Sequence, residues 1–144
     1  MPSPASEIVA ALAGEPVGLA LDIACGSGRN ALWLASLGWI VEAVDQVPMV
    51  LPGVEFRVAD IERDGCPIEA SAWDLIVCWL YWQVDLLPGI AAGVKPGGLV
   101  ALAGKTSGRF ATSLPNYRAA FPGWTEIAAG EDEIRAWFIA RRSG

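Results

Sequence analysis

Short apolar runs of strand length alternate with helical stretches along most of this chain. Leu19-Ala20-Leu21-Asp22-Ile23 reads as a buried strand with an acid where it should end, followed by a glycine turn. Leu32, Leu34, Ala35 and Leu37 then recur at helical spacing, with Gly38 as the stop. Trp39 to Asp45 and Val54 to Asp60 predict two more strands, each ending in an acid, and Gln46 to Gly53 is too short and proline-broken for more than one helical turn. Ile61 to Ala70 reads as a polar loop, and Trp73 to Leu80 as a fourth, largely buried strand. Val84, Leu86, Leu87, Ile90, Ala91 and Val94 suggest a helix restarted near Pro88. Lys95-Pro96-Gly97-Gly98 is a turn before a fifth strand, Leu99 to Ala103. A polar loop, Thr106 to Thr112, leads to a helical patch near Tyr117 to Phe121. Trp124 to Ala129 and Ile134 to Ala140, joined over Gly130 to Asp132, read as an antiparallel hairpin. At the start, Pro2-Ser3-Pro4 is a loose lead, and Ser6 is placed to cap a short helix through Leu12 that ends at Gly14.

Strands alternating with helices imply a doubly wound, mostly parallel α/β sheet of Rossmann type, finished by the C-terminal hairpin. The 144 residues suit one domain spanning 1–144, and 53% hydrophobic content supports a sizeable core.

Charge and chemistry narrow the function. The net charge is −6 with no basic stripe, which argues against nucleic acid. Charge is also uneven, acidic over 1–90 and mildly basic over 91–144. Three cysteines, Cys25, Cys66 and Cys78, form no C-x-x-C pair, and histidine is absent. Neither a disulfide framework nor a Cys/His zinc site is expected, and a reducing cytoplasm is the natural compartment. No signal peptide is read at the N-terminus, and no apolar run is long enough to cross a bilayer. Without histidine, any general base is a carboxylate, Tyr, Lys or water.

The turn Cys25-Gly26-Ser27-Gly28 is the candidate ligand site. Gly26 and Gly28 allow positive φ and leave no Cβ against an approaching ligand, and the following helix opens with unpaired N–H groups. Gly26 to Ala31 satisfies the dinucleotide fingerprint, with Asp45 at about the expected distance. Asp22 to Gly28 also satisfies a second pattern, in which the strand-end acid belongs to the motif. The glycines alone do not choose.

The second pattern, with Asp45, Asp60, the Trp73-to-Val77 strand and Lys95-Pro96-Gly97-Gly98 in the same order, resembles class I S-adenosylmethionine (SAM)-dependent methyltransferases. Ala24 stands in the first glycine position, and Ala24 to Ala35 looks most like the small bacterial methyltransferases of tellurite-resistance type. The resemblance runs from Leu19 to the C-terminus and implies the seven-stranded methyltransferase fold with SAM as cofactor. It implies that Asp45, with Gln46 beside it, holds the ribose hydroxyls. Asp60 would accept from the adenine amino group, with Ile61 donating a backbone N–H to the ring. Asp22 would lie near the methionine ammonium, and the backbone of Ala24, Cys25, Gly26 and Gly28 beneath the cofactor. Arg29 or Asn30 is placed at the carboxylate, and Cys78 and Trp79 beside the sulfonium.

Trp79, Tyr81 and Trp82 cluster at the carboxyl end of a central strand, where ligands of open α/β sheets sit; core packing explains aromatics there equally well. Arg109, in the loop after the fifth strand, is placed to meet an anionic acceptor, although a solvated loop charge is the commoner role. The expected activity is methyl transfer to a small molecule, with no assigned catalytic residue, no metal, and neither nucleic acid nor membrane as partner. Two other functions remain open at this point: a non-catalytic SAM- or nucleotide-binding module working through a protein partner, and an NAD-dependent oxidoreductase.

Overall fold

The computed structural model describes residues 3–144, so the expected lead begins outside the described residues, at Pro2. The strands are β1 (Leu19–Ile23), β2 (Ile40–Asp45), β3 (Val54–Val58), β4 (Trp73–Trp79), β5 (Val94–Lys105), β6 (Thr125–Glu131) and β7 (Arg135–Arg141). They form one seven-stranded sheet in the order β3-β2-β1-β4-β5-β7-β6. The first five are parallel to one another; β7 enters antiparallel beside β5 and pairs with β6 as the expected hairpin. The helices are α1 (Ser6–Ala11), α2 (Arg29–Ser36), α3 (Ile61–Asp64), α4 (Leu87–Gly93) and α5 (Leu114–Ala120).

Alternation along the strands feeds two cores. Leu21, Ile23, Ile76, Val100, Leu102 and Phe138 pack with Ile90, Leu114 and Tyr117 on the α4/α5 face. Ala20, Val41, Ala43, Leu75, Val77 and Ile139 pack with Ile8, Ala31 and Leu34 on the α1/α2 face. The sheet is doubly wound, as its sequence predicted.

Several local expectations are corrected. Ser6 is the first helical residue, not the cap; Ala5 holds the cap position, and its N–H donates to Asn30 Oδ1 at 2.9 Å. Leu37 lies beyond the helix and is exposed. The loop expected from Ile61 contains a short helix, because the Asp60 carboxylate accepts the Arg63 N–H at 3.1 Å and caps it. Lys95-Pro96-Gly97-Gly98 lies within β5 as a bulge: Trp73 pairs with Val94, yet Leu75 pairs with Leu99. The hairpin turn falls at 132–134, later than the glycine suggested.

Candidate functional site

The turn after β1 is built from three left-handed residues: Ala24 (φ 55°), Gly26 (φ 58°) and Gly28 (φ 80°). Gly28 precedes α2 as its cap at φ 80°, and a Cβ there would lie 2.6 Å from a Leu51 methyl, so any side chain would strain the backbone and push Leu51 aside. Leu80 (φ 61°), the residue after β4, is, with Ala24 and Ser71, one of three non-glycine residues of positive φ among the described residues. Ala24 and Leu80 line one cleft of about 170 Å³ together with Asp45, Gln46, Ile61, Glu62 and Tyr81. Backbone strain concentrated at a cleft is a mark of a functional site.

Of the three carboxylates at or just beyond the ends of β1, β2 and β3, Asp45 lines this cleft. Asp45 accepts from Gly26 N–H at 2.9 Å and from Val47 N–H at 3.1 Å, tying the turn after β1 to the turn after β2. Asp60 uses one oxygen to cap α3 and lines a neighbouring hollow with Gln46. Asp22 is 2% exposed, and its Oδ2 has no partner. Burial first, and the nearby Asp45 charge second, push its carboxyl up to about 7 against the pull of the Ala31 N–H and Arg29. An acceptor this deep without a donor is what a ligand cation would complete.

The aromatic segment after β4 forms the opposite wall. Tyr81 donates to Gln83 Oε1 at 2.5 Å, and Gln83 Nε2 donates back to Ile61 C=O at 3.1 Å, bracing this wall against α3. Burial raises the Tyr81 hydroxyl to about 12. Leu80 and Tyr81 also line an adjoining pocket of about 400 Å³, completed by Trp82, Lys105, Ser107, Gly108, Arg109 and Phe110. Its ionisable lining is basic apart from the Tyr81 phenol. Arg109 reaches across to Glu62 at 3.9 Å and lies over the Phe110 ring at 4.9 Å. Trp82 meets Tyr117 edge-on at 5.2 Å, so it packs the core and lines the pocket at once.

Tyr81, Trp82 and Arg109 thus converge, whereas other expected residues stay out of the cleft lining. Asn30 is buried, its oxygen committed to anchoring α1. Arg29 donates to Ser3 C=O at 3.3 Å. Cys78 and Trp79 are buried, one on each face of the sheet, because strand alternation carries them into the two cores. Burial drives the Cys78 thiol well above its ordinary range and Cys25 up to about 12, so neither is a nucleophile. Glu62, Leu80 and Gln83 were not expected; a positive φ at a leucine leaves no mark in sequence. Among the described residues no cluster suits a metal ion, and no helix is long and apolar enough to cross a membrane.

This fold is that of the SAM-dependent methyltransferases, several of whose solved structures share it. One is the Burkholderia thailandensis 1,6-didemethyltoxoflavin-N1-methyltransferase, solved with 1,6-didemethyltoxoflavin and S-adenosylhomocysteine (TM-score 0.71, 20% identity, 96% of this chain, 76% of that one). TehB from Haemophilus influenzae superposes with a TM-score of 0.80 at 17% identity, covering 96% of this chain and 62% of that one. Residues 2–87 match the family described as Tellurite resistance protein TehB, and the chain belongs to that family. A curated relative, Hemagglutinin 1 of Eikenella corrodens, is 31% identical over 96 residues, 54% of this chain and 31% of its own length. The chain therefore spans about a third of that relative, and less than two thirds of the Haemophilus TehB chain.

Proposed function

We propose that this chain is a SAM-dependent methyltransferase acting on a small, anionic or soft acceptor held in the pocket beside the cleft. The observation that carries the reading is the Asp22 carboxylate, buried near the end of β1 with one oxygen unpartnered and close enough to Asp45 to feel its charge. It fits the methionine ammonium of SAM. Asp45 would exchange its Gly26 and Val47 donors for ribose hydroxyls, and Asp60 retains one oxygen for the adenine amino group. Ile61 opens α3, so its N–H lacks a helical partner and suits a ring nitrogen. When bound, SAM supplies an electrophilic methyl on a sulfonium; the chain's part is to orient the acceptor and exclude water.

No carboxylate lines the pocket itself; Glu62, which lines the adjoining cleft, pairs with Arg109. Tyr81 is held at about 12, and the other ionisable groups lining the pocket are Lys105 and Arg109. That lining favours an acceptor that arrives already nucleophilic, as a thiolate, a chalcogen oxyanion or a carboxylate. Lys105 and Arg109 match that charge, and Trp82 and Phe110 supply apolar walls. Family and fold do not favour the oxidoreductase or the non-catalytic module. Calorimetric titration with SAM, S-adenosylhomocysteine and NAD tests the cofactor: the two sulfur ligands bind and NAD gives no heat. Binding of NAD alone would sink the proposal.

A further inference from the structure

The sheet ends at β3, whose outer side carries no strand. Its sequence, Val54-Glu55-Phe56-Arg57-Val58, is self-complementary about Phe56. Antiparallel pairing with a second copy sets Phe56 opposite Phe56, each Val54 opposite Val58, and each Glu55 opposite Arg57. We propose that β3 is a homodimer interface, joining two sheets edge to edge about a two-fold axis through Phe56.

The backbone is set for this. Ala59 donates its N–H to Asp45 C=O, so Glu55 and Arg57, in the same phase, spend theirs on β2. Phe56 and Val58 therefore turn their N–H groups outward. Val54 N–H is taken by Leu51 C=O, which leaves its own carbonyl to receive the partner's Val58 N–H. Phe56 exchanges both of its groups with its counterpart.

Charge favours the same register. Glu55 stands beside Glu42 in the β2 register and has no cation within ion-pair distance among the described residues. Arg57 leans toward Glu42 at 3.7 Å, and both side chains keep substantial exposure. A partner's Arg57 gives Glu55 the counter-charge it lacks. Val58, 56% exposed, gains apolar cover on the other face.

The opposite edge lacks these features. β6 carries a bulge between Glu126 and Ala128, and its charges are acids only. Bulges and like charges are how sheets blunt an edge. By contrast, β3 runs without a register shift or a proline.

Sedimentation equilibrium of the full chain over a concentration series gives the test. The wild type forms dimers. Glu55→Arg and Arg57→Glu each place like charges across the seam and weaken self-association about tenfold or more. Mixed in equal amounts, the two variants restore association, because a strand carrying two arginines then lies against a strand carrying two glutamates. Glu55→Arg also relieves the contact with Glu42, so its loss of association is not a folding defect. A wild type that stays monomeric throughout overturns the proposal. So do dimers indifferent to both variants, or a mixture behaving as the sum of its parts.

Discussion

Asp45 holds the turns after β1 and β2 with one carboxylate, yet it stands at the rim of a cleft. Its substitution therefore separates loop organisation from ligand binding. Asp45→Ala should weaken S-adenosylhomocysteine binding by about 1–3 kcal/mol, the usual size of a hydrogen bond to a charged group. Its circular dichroism spectrum should remain that of the parent, and an unchanged dissociation constant would remove Asp45 from the site. Ala24 makes a complementary case. Its φ of 55° costs an alanine about 1–2 kcal/mol, whereas glycine gives back ~0.5–1 kcal/mol through unfolded-chain entropy. Ala24→Gly should raise stability by about 0.5–1 kcal/mol in denaturant titration. A lowered midpoint would show that the methyl group packs usefully against the core.

The elements around the cleft were legible to different depths. The parallel strands and the closing hairpin could be read because each is an apolar run punctuated by turn residues. α3 could not: four residues are too few for periodicity, and its existence rests on the Asp60 cap. The bulge within β5 looks like a turn because its proline and glycines are turn residues in either setting. Topology alone brought Tyr81, Trp82 and Arg109 to one rim, since strand ends β4 and β5 are neighbours. Cys78 and Trp79, adjacent at the end of β4, point their side chains into opposite cores, an alternation that the apolar run alone does not orient. The loop between β5 and α5 has one exposed ion pair, Arg109 to Glu62, which contributes little stability. Arg109→Ala should thus leave the melting temperature and the affinity for S-adenosylhomocysteine unchanged while depressing methyl transfer to an identified acceptor. Trp82→Ala should lose transfer together with some stability, because it also removes the Tyr117 contact. Unimpaired transfer in both variants would take the acceptor elsewhere.

Across the whole molecule, two sets of carboxylates pull stability in opposite directions with pH. Near the termini, Glu7 of α1 pairs with Arg135 of β7, joining the first helix to the central antiparallel strand. Burial raises the Glu7 carboxyl, but the Arg135 hydrogen bond and charge outweigh it and bring it below its ordinary 4.5. Glu126 is also lowered, chiefly by its Arg118 hydrogen bond, and Asp132 by the Arg135 and Ile134 N–H groups. For such groups the unfolded chain takes up protons first, so their contribution is present above the ordinary carboxylate range and is lost as pH falls. Asp22 has the reverse sign. Its carboxyl is raised from 3.8 to about 7 in the folded chain, so the folded state holds a proton that the unfolded state releases. Its favourable contribution is complete below 3.8 and disappears as pH rises through about 7. The melting temperature should therefore peak on the acid side of neutrality and fall again toward pH 8. Asp22→Asn should flatten the neutral limb and leave the acid limb in place, whereas Glu7→Gln should weaken only the acid limb. Melting curves from pH 3 to pH 9 check both. An Asp22→Asn profile that still falls through neutrality would mean that the buried carboxylate is already ionised, compensated by a contact that the folded chain supplies.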